Sequence, residues 1–300
     1  MYARVMKADD KTQVRAPASV YGETRCPCLI VLSGRSVGCV YQLDERSYII
    51  GRADDAQITI DDEGVSRQHV KLVCYANGVV MLKDLGSTNG TFINGEAVTT
   101  RALADGDRIQ VGATAVLKFS VQDNLEAQFQ QQLYLAATRD PLTKLYNRRF
   151  FEEQLEKDYT YCRRHKAPLS LALADLDHFK EINDAHGHQA GDSILREFAR
   201  LVTGMVRNED MFYRIGGEEF ALLMRGTRLA GGLMVCERLR AAVEAQQFDH
   251  SGRKLHITVS FGVAELDVGV HEEPADLVQQ ADRLLYAAKA NGRNQTQGPT

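Results

Sequence analysis

Two clusters of carboxylates hold the densest potential chemistry in the sequence. In Tyr213-Arg214-Ile215-Gly216-Gly217-Glu218-Glu219-Phe220, strand-like runs flank a glycine pair. Such a pair suits a turn with positive φ at both central positions, and it lets a ligand approach the main chain. Two adjacent carboxylates leaving the turn repel each other unless a cation neutralises them. The second cluster, Asp175-Leu176-Asp177, closes the apolar run Leu169–Ala174 well upstream, so only tertiary folding can unite the two. Alone, each cluster reads as a solvated turn. Together, at a strand end of an α/β sheet, they point to Mg²⁺ acting on phosphates. His178, His186 and His188 stand nearby, but oxygen-rich surroundings favour Mg²⁺ over a zinc-type ion.

The elements that must position these groups follow from hydrophobic rhythm. From Asn147 onward helical and strand patterns alternate: a helix over 147–165, the strand 169–174, a helix over 192–206, a hairpin over 211–224, a helix over 228–247, a strand over 256–264 and a final helix over 274–291. A hairpin inside this order predicts a mixed sheet covered by helices. Residues 28–121 break instead into short β-rich runs separated by Asn77-Gly78, Asn89-Gly90, Asn94-Gly95 and Asp105-Gly106, the pattern of an all-β sandwich or barrel. Between the halves, Leu125, Phe129, Leu133 and Ala136 form one helical stripe behind a cap at Asp123 or Asn124. That stripe packs either on its own domain or against a second copy as a short coiled coil.

Composition bounds the rest. The chain has 300 residues, a net charge of −4, 44% hydrophobic and 25% charged residues, which excludes a disordered or low-complexity protein and predicts two domains. A weakly acidic chain lacks the basic field that nucleic-acid binding needs. No apolar run approaches the ~20 residues of a membrane helix, and the first ten residues resemble neither a secretory signal nor a transit peptide. The six cysteines are sparse, and Cys26-Pro27-Cys28 is too tight for metal or redox C-x-x-C spacing. Reduced thiols in a cytoplasmic protein are the expectation.

Over residues 138–294 the sequence resembles the GGDEF-domain diguanylate cyclases. The likeness rests on Asp140-Pro141-Leu142-Thr143 with Leu145-Tyr146-Asn147-Arg148-Arg149, on Asp175-Leu176-Asp177-His178-Phe179-Lys180 with Asn183-Asp184, and on His186–Asp192. It continues through Gly216–Phe220, Thr258–Val263 and Ala288–Asn294. The signature carries Glu at its third position. The resemblance implies that two GTP become cyclic di-GMP and two pyrophosphates in a homodimer, each domain holding one GTP. It implies Mg²⁺, with Mn²⁺ as an alternative, held by Asp175, the Leu176 carbonyl, Glu218 and Glu219, the catalytic acids being Asp175, Glu218 and Glu219. Neighbouring strand residues face opposite ways, so spacing does not divide the roles of Glu218 and Glu219. It further implies GTP contacts from Phe179, Lys180, Asn183, Asp192, Lys289 and Arg293. Asn183 and Asp192 resemble guanine readers, and an acid facing guanine N1–H and N2–H rejects adenine. Lys180, Lys289 and Arg293 resemble the triphosphate clamp.

Five residues before the signature, Arg207-Asn208-Glu209-Asp210 has the R-x-x-D spacing of a local ion pair at a helix end. By the same resemblance it is an inhibitory product site, with Arg238 placed to complete it from a second subunit.

In the β-rich half, Gly51-Arg52, Ser66-Arg67-Gln68-His69 and Asp84–Thr91 stand on loops. Guanidinium forks and hydroxyls are phosphate-binding chemistry. The set resembles the forkhead-associated (FHA) domain, a phosphothreonine-binding β-sandwich. The resemblance implies phosphate contacts from Arg52, Ser66, Arg67 and Thr88, a peptide contact from Asn89, and a bracing role for His69. The ligand is either another protein or the chain's own tail at Thr12 or Thr24, since ~25 coil residues typically reach ~25–30 Å.

The expected organisation is a flexible tail (1–25), an FHA-like sandwich (26–121), a linker helix (122–139) and a GGDEF domain (140–300). Two rival functions are a silent cyclic di-GMP receptor using only Arg207 and Asp210, and a phosphopeptide-binding scaffold. The intact Asp175, Lys180, Glu218 and Glu219 argue for the enzyme.

Overall fold

Alternating burial along short strands builds the N-terminal half, as in Arg108–Val111, where Ile109 and Val111 are fully buried. The computed structural model describes residues 25–299 apart from 35, 44, 45, 54, 61, 63 and 208; Thr12 and Thr24 lie outside these. The strands are β1 (Arg25–Val31), β2 (Val40–Gln42), β3 (Ser47–Gly51), β4 (Ile58–Thr59), β5 (Val70–Cys74), β6 (Val80–Asp84), β7 (Thr91–Ile93), β8 (Glu96–Ala97), β9 (Thr100–Ala102), β10 (Arg108–Val111) and β11 (Ala115–Asp123). They form two sheets, β2-β1-β11-β10-β7-β8 and β4-β3-β5-β6-β9. Leu29, Ile50, Leu72, Leu82, Ile93 and Phe119 fill the space between them. This is the sandwich that the turn spacing predicts.

Helix α1 (Asn124–Thr138) follows, and its cap is Asp123, whose carboxylate accepts from Leu125 N at 2.7 Å. Ala127 packs against Cys28 and Val40 of the sandwich. The sequence stripe faces the other way: Leu125, Phe129 and Leu133 are 56%, 59% and 54% exposed. Thus the helix docks on its own domain through a different face.

The second half contains α2 (Arg148–His165), β12 (Leu169–Leu176), α3 (Phe179–His186), α4 (His188–Thr203), β13 (Met211–Arg214), β14 (Glu219–Arg225), α5 (Leu229–Ala245), β15 (Phe248–His250), β16 (Arg253–Leu255), β17 (Val259–Glu265), α6 (Pro274–Ala290) and β18 (Thr296–Gln297). Its five-stranded sheet runs β13-β14-β12-β17-β18, antiparallel except for the parallel β17–β18 pair. Because side chains alternate across a strand, Leu169, Leu171 and Leu173 of β12 pack on one side. Ala172, Ala174 and Leu176 pack on the other. A mixed sheet with helices on both faces results, as expected.

Two local expectations are corrected, and one hairpin lies where the sequence reading assigned nothing. Helix α4 begins at His188, not Asp192, and α3 precedes it across Gly187 at φ +82°. The stretch 248–255 is a separate hairpin, β15–β16. Neither Gly216 nor Gly217 has positive φ. That backbone occurs instead at Asn94-Gly95 (φ +53° and +89°), in the β7–β8 hairpin. Among the described residues, no helix is long and apolar enough to cross a membrane, and all six cysteines are free thiols.

Candidate functional site

Register, rather than chain proximity, unites the two acidic clusters. β12 and β14 pair antiparallel with Asp175 opposite Glu219, and the Leu176 N–H donates to the Glu218 carbonyl at 3.3 Å. Directly opposed residues share a face of the sheet, so Asp175 and Glu219 project to the same side. Gly216 leaves room for this acid: a Cβ at this position would displace the Glu219 carboxylate. Lys289, near the end of α6, completes the cluster with Nζ 2.8 Å from Asp175 Oδ2.

Electrostatics follow from this crowding. Burial, together with the charges of Glu219 and Asp177, raises the Asp175 carboxyl against the opposing pull of Lys289. Burial, then the Asp175 charge, raises Glu218. Carboxylates pushed this way gain from a hard divalent cation, and an all-oxygen donor set fits one. Among the described residues, no three acidic, His or Cys side chains already converge in ligand geometry, and the lysine ammonium holds the Asp175 oxygen.

The residues that the resemblance assigns to the nucleotide lie partly on α3 and α4, which follow β12. α3 and α4 approach closely because residue 191 is glycine: a Cβ there would strike the Asn183 amide oxygen and the Phe179 ring. Asn183 is thereby brought beside the turn of α4 that carries Asp192. Asp192 has a loose contact with Arg196, at 3.8 Å. Lys180 is exposed, while the Phe179 side chain is core, 5% exposed, so Phe179 can offer a nucleotide only its main chain.

Asp177 is buried beside Asp175 and held by hydrogen bonds of its own. It is 3% exposed and accepts from Ser260 Oγ (2.8 Å), Thr258 Oγ1 (2.7 Å) and Asn294 N (3.0 Å). The two acids therefore differ in partner: a lysine ammonium for Asp175, three neutral donors for Asp177. Arg214 was missed as a functional residue. Its guanidinium spans Asp140 Oδ1 at 3.0 Å and the Gly217 carbonyl at 2.7 Å, tying the start of the domain to the glycine turn. An arginine two residues before a glycine pair, with an unassigned acid in the opening motif, was the available signal.

Arg207 and Asp210 lie beyond the end of α4 in the loop before β13, with Asp210 N donating to the Arg207 carbonyl at 3.1 Å. They line a cavity of about 1040 Å³ with Arg139, Arg200 and, from the sandwich, Tyr41 and Thr59. Arg238 donates to the Met205 carbonyl at 2.7 Å within the same chain.

At the tip of the sandwich, Ser66 Oγ accepts from Thr88 N at 3.1 Å and lies 3.5 Å from Thr88 Oγ1. Asn89 Nδ2 donates to the Gly64 carbonyl at 2.8 Å. Arg52 and Arg67 are exposed, and their loops are pinned by Arg52 N donating to the Ser66 carbonyl. His69 is fully buried. Its Nδ1 accepts from Ser66 N at 3.0 Å, so Nε2 carries the proton and donates to the Gly90 carbonyl at 3.0 Å.

The fold and site define an α/β domain with strand-end carboxylates for phosphate chemistry, preceded by a β-sandwich with arginine and hydroxyl loops. Residues 137–295 match the model of the "Diguanylate cyclase, GGDEF domain" family, and residues 48–112 match the FHA domain. The chain belongs to the GGDEF family and carries an FHA domain in its N-terminal half. It is 37% identical to diguanylate cyclase DgcS of Shewanella oneidensis over 174 residues, 58% of this chain and 57% of that protein. It is 39% identical to response regulator PleD of Caulobacter vibrioides over 187 residues, 62% of this chain and 41% of that protein. The chain thus spans about half the length of these curated relatives. Among solved structures, the coiled coil and GGDEF domain of DgcB from Caulobacter crescentus, in complex with c-di-GMP, matches with a TM-score of 0.55 and 30% identity. That match covers 58% of this chain and 92% of that one.

Proposed function

We propose that the protein is a diguanylate cyclase acting as a homodimer, gated by phosphothreonine recognition at its FHA domain and inhibited by its own product. The observation that carries the catalytic reading is the opposition of Asp175 and Glu219 across β12 and β14, with Glu218 and Lys289 at the same strand end.

Asp175, the Leu176 carbonyl, Glu218 and Glu219 would hold Mg²⁺, which supplies charge neutralisation at the phosphates. Asn183 and Asp192 read guanine; Lys180, Lys289 and Arg293 clamp the triphosphate. In each half-reaction a 3′-hydroxyl oxygen forms a bond to the other nucleotide's α-phosphorus, and the bond to the pyrophosphate oxygen breaks. Two such steps give one cyclic dinucleotide and two pyrophosphates. Glu218, whose carboxyl is raised by burial and by the Asp175 charge, is either a second cation contact or the group that takes up the 3′-hydroxyl proton. Each domain holds one nucleotide, so the reaction needs two facing copies, and the exposed stripe of α1 is an apolar surface fit to bring them together.

Product inhibition is supported by the cationic cavity at Arg207 and Asp210, and FHA gating by Tyr41 and Thr59 lining that cavity. Incubating the protein with GTP and Mg²⁺ tests the activity. Cyclic di-GMP that forms with the unaltered chain and disappears in Glu219→Ala supports the reading, and no cyclic dinucleotide from the unaltered chain overturns it.

A further inference from the structure

The turn after α6 has an unusual backbone. Gly292, Arg293 and Asn294 all have positive φ, at +115°, +63° and +47°. Two of the three are not glycine, and such residues persist in this region only where their surroundings over-determine them. The surroundings here are specific. Asn294 N donates to Asp177 Oδ2 at 3.0 Å, Asn294 Oδ1 accepts from Arg240 at 2.8 Å, and Asn294 Nδ2 donates to Glu244 at 2.7 Å. Arg240 is itself held by Glu237 at 2.8 Å and by Glu244 at 2.7 Å. The Phe261 N–H donates to the Gln295 carbonyl at 2.9 Å, fixing the next residue to the sheet.

Asp177 is the buried anchor of this arrangement. Its three donors come from β17, from the residue just before it and from the strained turn, so both carboxylate oxygens are occupied by hydrogen bonds. The same segment carries Lys289 over Asp175. Asp177 thus ties the turn directly to the strand end that carries the acidic cluster, beside the holds from Arg240, Glu244 and Phe261 N.

Resting on the nucleotide-binding reading above, we propose that Asp177 is a positioning residue for the triphosphate. Through the Asn294 amide it locks the turn that aims Arg293 at the β- and γ-phosphates, and it holds no cation itself. The Arg240–Asn294 bridge supports the same turn from α5.

The test measures binding to the full-length chain by calorimetry, with Mg²⁺, using GMP and the α,β-methylene analogue of GTP, which cannot react at the α-phosphorus. In Asp177→Asn, which keeps the shape but loses the charge and one acceptor, affinity for the analogue is expected to fall about tenfold, with GMP affinity within about twofold. Arg293→Ala should give a similar loss, and Asp177→Asn with Arg293→Ala no more than the larger single loss, because one residue acts through the other. Equal weakening of GMP and the analogue, losses that multiply in the double variant, or unchanged binding in Asp177→Asn would each overturn the proposal. If the unaltered chain takes up neither nucleotide, the nucleotide reading falls and this inference with it.

Discussion

Lys289 Nζ stands 2.8 Å from Asp175 Oδ2, so a side-chain cation from the last helix neutralises the acid closing the central strand. Asp175 and Glu218 are nonetheless both raised, by burial first and then by neighbouring acids: Glu219 and Asp177 act on Asp175, and Asp175 and Glu219 act on Glu218. Without a bound divalent ion they take up protons at higher pH than free acids of pKa about 4. Metal binding must displace those protons. The apparent affinity for Mg²⁺ should therefore fall as pH drops through the raised range of these carboxyls, by up to about tenfold per unit for each proton displaced. Magnesium titrations of activity across this range check it, and a flat affinity contradicts it.

The Arg214–Asp140 pair joins the domain's opening loop to the glycine turn, with both side chains mostly buried. Partial burial alone raises Asp140, but hydrogen bonds from Thr143 and Arg214 outweigh it and hold the carboxyl below its ordinary value. A depressed acid stabilises the fold above its unfolded pKa of about 4, and this contribution is lost as pH falls through the folded value. Arg214→Ala should cost about 2 kcal/mol near neutrality, with a smaller difference from the unaltered chain in acid. Denaturant unfolding at both pH values measures this.

Much of this was legible in the sequence because function and fold left separate marks. The continuous apolar run Leu169–Ala174 located β12, a strand buried on both faces, and the acids at its end announced the cation site. The opposition of Asp175 to Glu219 was not legible, since register is a tertiary property. α3 escaped notice because Phe179–His186 is short and mostly polar, and its termination at Gly187 reads as a loop. The glycine turn was placed correctly but explained incorrectly: neither glycine has positive φ, and the missing Cβ of Gly216 leaves the Glu219 carboxylate where it is. Asp177 looked like a twin of Asp175, and only its three hydrogen-bond donors distinguish it.

Arg207 lines the cationic cavity and lies away from the carboxylate cluster. If the product binds there, Arg207→Ala should raise the final yield of cyclic di-GMP several-fold while leaving the initial rate within about twofold, as expected for a residue that binds inhibitor and not transition state. Progress curves at saturating GTP decide it; an unchanged end point counts against inhibition at this site.

Ser66 and Thr88 form a hydroxyl pair at the sandwich tip, with Arg52 and Arg67 exposed on the neighbouring loops. Loss of one charge-assisted hydrogen bond to phosphate costs about 2 kcal/mol, or roughly thirtyfold. Arg67→Ala should weaken binding of a phosphothreonine peptide by that factor. Peptides spanning Thr12 or Thr24, phosphorylated and not, separate the tail from an outside partner as ligand, and equal affinity for both forms excludes the tail.

Leu125, Phe129 and Leu133 expose one face of α1, while Ala127 holds the opposite face to the sandwich. Replacing Phe129 and Leu133 by Glu should shift the protein to monomer in sedimentation and reduce cyclic dinucleotide formation at least tenfold, because facing copies are needed for two nucleotides to meet. An unchanged mass and rate would place the dimer contact elsewhere.

The most direct test of the shared cation is electron paramagnetic resonance of Mn²⁺ bound with the α,β-methylene analogue of GTP. The expected result is tightly held Mn²⁺ in the unaltered chain, with the bound signal lost in both Asp175→Asn and Glu219→Gln. Undiminished Mn²⁺ binding in either variant would show that the two strands do not hold one ion between them, and the catalytic account would fail.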